Sequence, residues 1–482
     1  MSAPTVCVVG AGLAGLAAAI EAVDGGAQVI LLESRPRLGG ATFSFTRDGA
    51  NVDHTSVDHG ADDHASVDHG VDADSPRDGL TVDNGQHVFL RCCTAYQAFL
   101  RRLGVAGLVR IQDRMSVPVI TPGGRVHRLT RSDLPAPLHL AGAVGGYPLL
   151  SLRDKVTAVR ALVALRRLDP DDPRLDVESF GGWLRRHGQS TTAINALWGL
   201  ISVPTLNAWP DETSLALAAM VFRTGLLDDA EAADIGIPLV PLSRLHGDPA
   251  GAVLAAAGAD VRTSTRVVGV RRDESGLTVA TRSGSVRADA VVLAVPHDSL
   301  PPLLPDGAVR EQARLAGLGA SPIVNLHVVY DRPVTSLPFA VGHGGPVHWV
   351  FDRTEAAGVT DGQYLTVSLS AADAYLHEPV AALRARFLPA LAELFPAAGR
   401  ASVRRFLVTR EPKATFRPLP GTGALRPGSQ TDVPGVFLAG SWTDTGWPAT
   451  MEGAVRSGTN AARRALTTVD PISAPTMQGA AL

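Results

Sequence analysis

The sequence has little lysine, little cysteine and no excess of positive charge. Only Lys155 and Lys413 are lysines among the 482 residues, so arginine carries nearly all of the positive charge. The formal net charge is −3, and a chain without a basic excess lacks the electrostatic footprint of a nucleic-acid-binding protein. The three cysteines do not form a disulfide framework, which fits a reducing compartment.

Long hydrophobic runs are also missing. No stretch reaches the roughly 18 apolar residues that a transmembrane helix needs, and residues 1–4 lack the basic region that opens a secretory signal peptide. We therefore expect a cytoplasmic protein, either soluble or bound peripherally to the inner face of the cell membrane. The 45% of hydrophobic and 19% of charged residues are typical of a globular protein, and the length is enough for two domains.

The N-terminus carries a dinucleotide-binding pattern. Residues 5–9 predict a buried parallel strand, and they lead into a G-x-G-x-x-G motif, residues 10–15, that opens a helix. The first glycine allows the tight turn, the second lets backbone approach a pyrophosphate, and the third lets helix and strand pack closely. The helix N-terminus offers N–H groups to the phosphates. Glu33, at the end of the second strand, suits ribose hydroxyls and argues against NADP.

The segment after Glu33 favours a flavin over a nicotinamide. Residues 35–40, R-P-R-L-G-G, resemble the R-x-x-G-G extension of flavoproteins of the amine oxidase and phytoene desaturase superfamily. In that superfamily the glycine pair lies against the cofactor, and an arginine, here Arg37, contacts phosphate or closes over the site. Ala41 stands where another arginine is usual, so one phosphate contact is missing or replaced.

The C-terminal part supplies the matching half of such a site. Residues 435–440 predict a strand that ends at a glycine, and a helix is predicted to start near Met451. A helix N-terminus beside the flavin would stabilise the anion that forms on reduction. The resemblance implies that Gly453 and Gly458 pack against the cofactor. Ser441 stands where the superfamily usually has an aspartate for the ribityl chain, so we expect FAD to be held less tightly.

Two further segments resemble parts of the same flavin site. Residues 83–87, D-N-G-Q-H, resemble the D-x-G-x-H segment that brings backbone close to the isoalloxazine ring. The resemblance also implies that backbone near Val267 pairs with adenine. The residues predicted to contact the cofactor are Gly10, Gly12, Leu13, Ala14, Gly15, Glu33, Ser34, Arg35, Arg37, Gly39, Gly40, Ala41, Gly85, Gln86, Val267, Gly440, Ser441, Ala449, Thr450 and Met451.

Residues 50–78 are predicted to be a disordered, Asp/His-rich insertion. The unit S-V-D-H-G occurs at 56–60 and again at 66–70, and the tract has no apolar face that would offset its ordering entropy. Its histidines leave loose metal binding open as an alternative, but no metal site is predicted.

The segment 136–167 leaves two interpretations open. Residues 136–150 are apolar and broken by proline and glycine, and the following helix carries Arg153, Lys155, Arg160, Arg166 and Arg167. This pattern is typical of a protein that contacts an anionic lipid surface. A domain helix with a solvated basic face fits the same residues.

The whole chain outside the insertion resembles the squalene-associated FAD-dependent desaturases, the hydroxysqualene dehydroxylase group. The segments that carry the resemblance are 83–87, 179–184, 241–245, 414–416 and 448–455. The resemblance implies an α/β fold in which a Rossmann-type FAD-binding domain (1–49, 79–105, 236–300, 405–482) is interleaved with a mixed α+β substrate domain (106–235, 301–404).

The same resemblance implies reductive removal of the hydroxyl group of hydroxysqualene, a C30 isoprenoid, and association with other enzymes of squalene and hopanoid synthesis. The leaving hydroxyl needs a proton, for which His87, Asp444 and Glu452 are the candidates in that order; His87 can equally be a hydrogen-bonded core residue. The alternatives are a carotenoid desaturase, a flavin amine oxidase and a non-catalytic prenyl-binding escort protein.

Overall fold

A computed structural model describes residues 3–47, 79–274, 276–309 and 312–469. The 50–78 insertion, with the disorder predicted for it, lies outside these ranges. The strands are β1 Thr5–Val9, β2 Gln28–Leu32, β3 Ser44–Arg47, β4 Leu80–Asp83, β5 Phe89–Leu90, β6 Val109–Ile111, β7 Ser116–Thr121, β8 Arg125–Thr130, β9 Ile235–Pro238, β10 Asp260–Arg262, β11 Val267–Asp273, β12 Gly276–Thr281, β13 Gly284–Ala288, β14 Ala290–Leu293, β15 Ser321–Tyr330, β16 Phe339–Gly342, β17 Trp349–Asp352, β18 Gln363–Ser370, β19 Val403–Thr415 and β20 Val436–Leu438.

The helices between these strands are mostly short. They are α1 Leu13–Asp24, α2 Thr94–Arg102, α3 Ala141–Gly146, α4 Leu152–Arg166, α5 Pro173–Asp176, α6 Phe180–Arg186, α7 Thr191–Ala193, α8 Gly199–Leu206, α9 Leu215–Phe222, α10 Leu242–Leu245, α11 Gly247–Ala256, α12 Val380–Leu394 and α13 Met451–Val469. A π-helical turn, Ile194–Trp198, precedes α8, and a second one, Arg223–Leu227, follows α9.

Apolar runs from both ends of the chain form one parallel sheet, in the order β10-β2-β1-β14-β20. Its pairs are parallel throughout, with Val6 opposite both Val29 and Ala290 and with Val291 opposite Val436. The buried, almost continuously apolar strands are typical of a parallel sheet covered on both faces. The predicted Rossmann-type fold is confirmed, and β20, the last strand of the described residues, extends the sheet that contains β1.

Helices α1 and α13 cross closely beside this sheet. A Cβ placed on Gly458 would lie 1.9 Å from the carbonyl oxygen of Ala14, and one on Gly453 would lie 2.6 Å from that of Pro448. The expectation that these two glycines pack against the cofactor is therefore wrong. They let α13 approach α1 and the preceding loop, which brings the C-terminal segment up to the N-terminal motif.

A second, seven-stranded sheet has the order β19-β15-β18-β17-β16-β7-β8. Its β15 alternates, so that Leu326 and Val328 pack in one core with Phe387 of α12, while Ile323 and Asn325 line a cavity on the other face. The domain boundary predicted at residue 405 is wrong, because it falls inside β19, which pairs with β15 from Val403 to Thr415.

We expect Gly458→Ala to destabilise the protein, because the added methyl group would overlap the Ala14 carbonyl oxygen. Overpacking of this kind lowers the free energy of unfolding by about 1–3 kcal/mol, which thermal or chemical denaturation measures. Gly142→Ala in α3 is the matched control, since nothing lies within 4 Å of its added Cβ. Equal loss of stability in the two variants would contradict the close α1–α13 crossing.

Candidate functional site

One large cavity lies between the carboxyl edge of the parallel sheet, the seven-stranded sheet and the helices of segment 138–235. Its volume is about 1370 Å³, above the roughly 300–1,000 Å³ of ordinary ligand pockets. Every residue predicted to contact the cofactor lines this cavity except Gly15 and Arg37. The volume is sufficient for a dinucleotide and a further large ligand together.

The N-terminus of α1 opens onto one end of the cavity. Its N-cap residue is Gly12, which has no side chain to satisfy the first-turn N–H groups, and such groups bind phosphate readily. Glu33 ends the neighbouring strand, and its carboxylate accepts hydrogen bonds from the N–H groups of Ala11 (2.7 Å) and Arg35 (2.8 Å). These contacts hold the acid at the cavity wall, where ribose hydroxyls would meet it.

The loop after β2 lies directly on the glycine motif. Gly40 has a φ of +56°, and a Cβ placed on it would be 2.6 Å from the Cα of Gly12. Arg37 stays outside the cavity wall: its Nη1 donates to the Gly40 carbonyl oxygen at 3.0 Å, and its guanidinium lies 3.3 Å from the centroid of the Phe43 ring. These contacts support the Gly40 loop, and the two roles predicted for Arg37, contact with phosphate or closure over the site, stay predictions.

The C-terminal segment completes the same end of the cavity. The N–H of Gly440 donates to Ser457 Oγ of α13 at 3.0 Å, which ties the turn after β20 to that helix. Arg426, which sequence reasoning missed, is 8% exposed and donates to the carbonyl oxygens of Thr443 and Trp447, both at 2.6 Å. Burial lowers the pKa of Arg426, and these carbonyl contacts are what offset the desolvation of its charge.

The residues present fit FAD. Close-packed glycine turns, a helix N-terminus without a side-chain cap and an acid at the tip of the second strand meet at one end of the cavity, and this combination serves dinucleotides. The turn at residues 83–87 and the start of α13 lie on the wall of the same cavity, where backbone from both would flank the flavin ring.

A buried ion pair fixes the turn at 83–87. Asp83 accepts a hydrogen bond from Arg353 at 3.0 Å, and Arg353 also donates to the carbonyl oxygen of Pro238 at 2.7 Å. The neighbouring Asn84 is 2% exposed, and its backbone carbonyl oxygen accepts a hydrogen bond from the Thr409 hydroxyl at 2.8 Å. The predicted motif is thus held by contacts with the second sheet that its own sequence does not reveal.

His87 lines the cavity, but its contacts do not favour proton donation. Its Nδ1 lies 3.1 Å from the Gly85 carbonyl oxygen, so this nitrogen carries the hydrogen and Nε2 is left as an acceptor. Burial lowers the pKa of His87 below its ordinary value, which leaves the imidazole neutral at pH 7. A neutral ring with a free lone pair accepts a proton more readily than it gives one.

The other two predicted proton donors have different surroundings. Asp444 is exposed and is absent from the cavity wall; it accepts from the N–H of Gly446 at 3.2 Å. Glu452 reaches the wall, but its carboxylate accepts from Tyr96 N at 2.7 Å and pairs with Arg456 at 2.6 Å. That carboxylate caps the N-terminus of α2. Neither arrangement suits an acid that delivers a proton in the cavity.

Sequence reasoning missed an acid on β19. Glu411 lines the cavity and accepts a hydrogen bond from Asn84 Nδ2 at 3.0 Å. Burial raises the pKa of Glu411 to about 7, against the smaller lowering effects of Asn84 and of the Arg35 and Arg37 charges. The sequence analysis predicted no strand at this position, and only the structure shows that Thr409 and Glu411 share one face of β19, as alternate residues of a strand do. Lys413, two residues further, pairs with Asp298.

The end of the cavity farthest from the glycine motif is apolar. Among the described residues, none of the Asp, Glu, Lys or Arg side chains of segment 138–235 lines it. The apolar side chains there include Leu140, Val144, Leu162, Leu197, Ile201, Met220, Phe222 and Leu226. Both π-helical turns contribute to this wall, as such turns often do at functional sites. This end suits a long hydrocarbon chain, and the described residues of segment 138–235 offer no ion-pair partner for a charged substrate.

Comparisons with known proteins agree with this geometry. The family described as flavin containing amine oxidoreductase matches residues 72–466, and a NAD(P)-binding Rossmann-like domain matches residues 8–72. The hydroxysqualene dehydroxylase of Rhodopseudomonas palustris is 30% identical over 95% of this chain and 97% of its own length. The zeta-carotene desaturase of Zea mays is 25% identical over 94% of this chain and 82% of its own.

Similarity to solved structures supports the fold and nothing beyond it. Cyclohexylamine oxidase from Brevibacterium oxydans superposes with a TM-score of 0.68 over 96% of this chain and 99% of that one, at 20% identity. At this identity the match says nothing about the substrate of the present chain.

We expect Gly40→Ala to weaken flavin binding about tenfold or more, equivalent to roughly 1.4 kcal/mol, because its Cβ would force the Gly40 and Gly12 turns apart. The ratio of flavin to protein absorbance after dialysis measures this loss. Gly26→Ala is the matched control: Gly26 also has a positive φ, +81°, but nothing lies within 4 Å of its Cβ. If both variants lost flavin equally, the close contact would not be the cause.

Proposed function

The chain belongs to the flavin-containing amine oxidoreductase family and is an FAD-dependent oxidoreductase, and we propose that it reductively dehydroxylates hydroxysqualene to squalene in hopanoid biosynthesis. The observation that carries the proposal is the cavity itself, in which a dinucleotide end continues into an uncharged, apolar end. The 30% identity to a hydroxysqualene dehydroxylase over nearly the whole chain supports the same substrate.

The reaction assigns separate tasks to the two ends of the cavity. When bound and reduced, the flavin supplies the hydride equivalent that replaces the hydroxyl group. The apolar wall excludes water and holds the hydrocarbon chain by burial of its surface, which is worth about 25 cal/mol per Å². The turn at 83–87 and the start of α13 then orient the alcohol carbon at the junction, and the leaving oxygen needs a proton from the wall.

A carotenoid desaturase is the second candidate, because the chain is also similar to a zeta-carotene desaturase. Such an enzyme would use the same apolar end for a similar chain but would run the flavin in the oxidative direction. The two candidates differ in the substrate consumed and in the flavin state that starts the reaction, so product analysis separates them.

We expect the purified, flavin-loaded protein to form squalene from hydroxysqualene when a chemical reductant is supplied without oxygen. Lipid extraction and mass spectrometry measure the product, and a reaction without enzyme is the control. Parallel incubation of the oxidised protein with phytoene tests the alternative. Desaturated phytoene without any squalene would reject the dehydroxylase proposal in favour of the desaturase.

The proposal extends to a lipid surface as the source of the substrate. Along α4, Leu152, Val156, Val159 and Val163 form an apolar stripe, exposed to 80%, 45%, 48% and 42%, at spacings of four, three and four residues on one helical face. The same helix carries Arg153, Lys155, Arg160 and Arg166, which complement an anionic headgroup layer. An apolar helical face rimmed by basic side chains is typical of a protein that lies on a membrane.

This stripe is close to the apolar end of the cavity in the fold. Leu162 lies on α4 itself, and Ala143 and Val144 lie on the neighbouring α3; all three line the cavity. Within the described ranges, no helix has the length and apolarity to cross a bilayer. A surface contact through α4 would let an isoprenoid pass from lipid to cavity without entering bulk water.

We expect the protein to co-sediment with vesicles that contain phosphatidylglycerol and to bind much less to vesicles of phosphatidylcholine alone. The double variant Leu152→Ser/Val159→Ser should lose most of this binding, because it removes apolar area from the stripe. Val177→Ser, which changes an exposed valine (73%) outside the stripe, is the matched control. Full binding by the double variant would argue against docking through α4.

A further inference from the structure

Glu411 occupies a fixed position in the cavity wall. It stands opposite Ile323 of the adjacent strand β15, and Asn84 Nδ2 donates to its Oε1 at 3.0 Å. Asn84 is itself held, because its Oδ1 accepts from Phe43 N at 3.3 Å and its carbonyl oxygen accepts the Thr409 hydroxyl. The carboxyl group therefore keeps one orientation beside the turn at 83–87.

Burial and the neighbouring polar and charged groups shift the pKa of Glu411 in opposite directions. Arg35 and Arg37, from the loop after β2, lower the pKa of the carboxyl, and so does the Asn84 amide. Burial acts in the opposite direction and more strongly, which leaves the pKa at about 7. Its cationic neighbour on the same strand, Lys413, is paired with Asp298. A substantial fraction of Glu411 therefore carries a proton at neutral pH.

We propose that Glu411, acting on the hydroxysqualene chemistry proposed above, is the acid that protonates the leaving hydroxyl group. The carbon–oxygen bond breaks as the oxygen takes the Glu411 proton and departs as water. The carbon takes up the two-electron hydride equivalent in its place, so that the alcohol is reduced to the hydrocarbon. The Glu411 carboxylate then regains a proton from solvent and the next turnover begins.

The pH dependence of this role has a definite sign. The donor must be protonated, so turnover should be highest below about pH 7 and should fall as the pH rises through that value. The stability of the folded protein should also fall as the pH rises. The folded-state pKa lies above the ordinary value of 4.5, so the favourable burial of the neutral acid is fully present below about 4.5 and is lost as the pH rises through about 7.

The test is Glu411→Gln in the flavin-loaded protein, because glutamine keeps an oxygen for Asn84 and lacks a transferable proton. We expect squalene formation to fall about 100-fold or more, with unchanged flavin content and without the alkaline decline near pH 7. Glu411→Asp should restore part of the activity together with that decline. Glu355→Gln, which changes an exposed carboxylate, is the matched control and should resemble the parent throughout.

Melting temperature gives a readout that needs no substrate. The difference between Glu411→Gln and the parent should be small near pH 4 and should grow in favour of the variant towards pH 8, because only the parent must ionise an acid whose pKa is raised by desolvation. A variant that is less stable at every pH, or that loses flavin, would indicate a structural role and would overturn the proposal.

Two outcomes separate this inference from the proposed function. If the parent forms squalene and Glu411→Gln forms it at the same rate with the same pH profile, Glu411 is not the donor and the dehydroxylase proposal stands. If the parent forms no squalene from hydroxysqualene, the proposed function fails, and protonation of a hydroxyl group by Glu411 fails with it. A large rate loss with parental flavin content, and the pH-dependent stability difference, support the inference.

Discussion

The carboxyl ends of β1, β2 and β20 lie along one edge of a parallel sheet, and the site depends on that arrangement. Parallel pairing places the loop after each strand on the same side, so the glycine motif after β1, Glu33 after β2 and Gly440 after β20 meet although they are far apart in the chain. The close α1–α13 crossing at Gly458 holds the C-terminal segment beside the N-terminal one.

The second sheet supplies what the nucleotide fold lacks. Its strands β15 and β19 present polar side chains to the turn at 83–87, and Arg353 between β17 and β18 holds that turn through Asp83. Most of these polar groups satisfy one another, as buried hydrogen-bonding groups must. Glu411 differs because its surroundings oppose its ionisation, and an acid with a raised pKa on the wall of a cavity is a candidate for proton transfer.

The helices of segment 138–235 give the far end of the cavity its apolar character. Segment 138–235 turns apolar side chains inward around the far end of the cavity and leaves an apolar stripe outward on α4. Burying apolar area normally stabilises a fold, so aliphatic side chains left exposed on one helical face indicate a contact surface. Helix α4 contributes to both surfaces, because Leu162 lines the cavity while the stripe faces outward, and this arrangement suits the lipid substrate proposed above.

The sequence by itself determined the class of fold and the cofactor end of the site, because strand periodicity and glycine spacing are local properties of the backbone. Gly10, Gly12 and Glu33 lie within one unbroken segment, and the dinucleotide prediction needed no long-range contact. The surroundings of Asp444, Glu452 and Glu411 were decided only by tertiary structure. The pKa of a carboxyl group depends on its burial and its neighbours, and for Glu411 these neighbours, Asn84 and Ile323, come from distant parts of the chain.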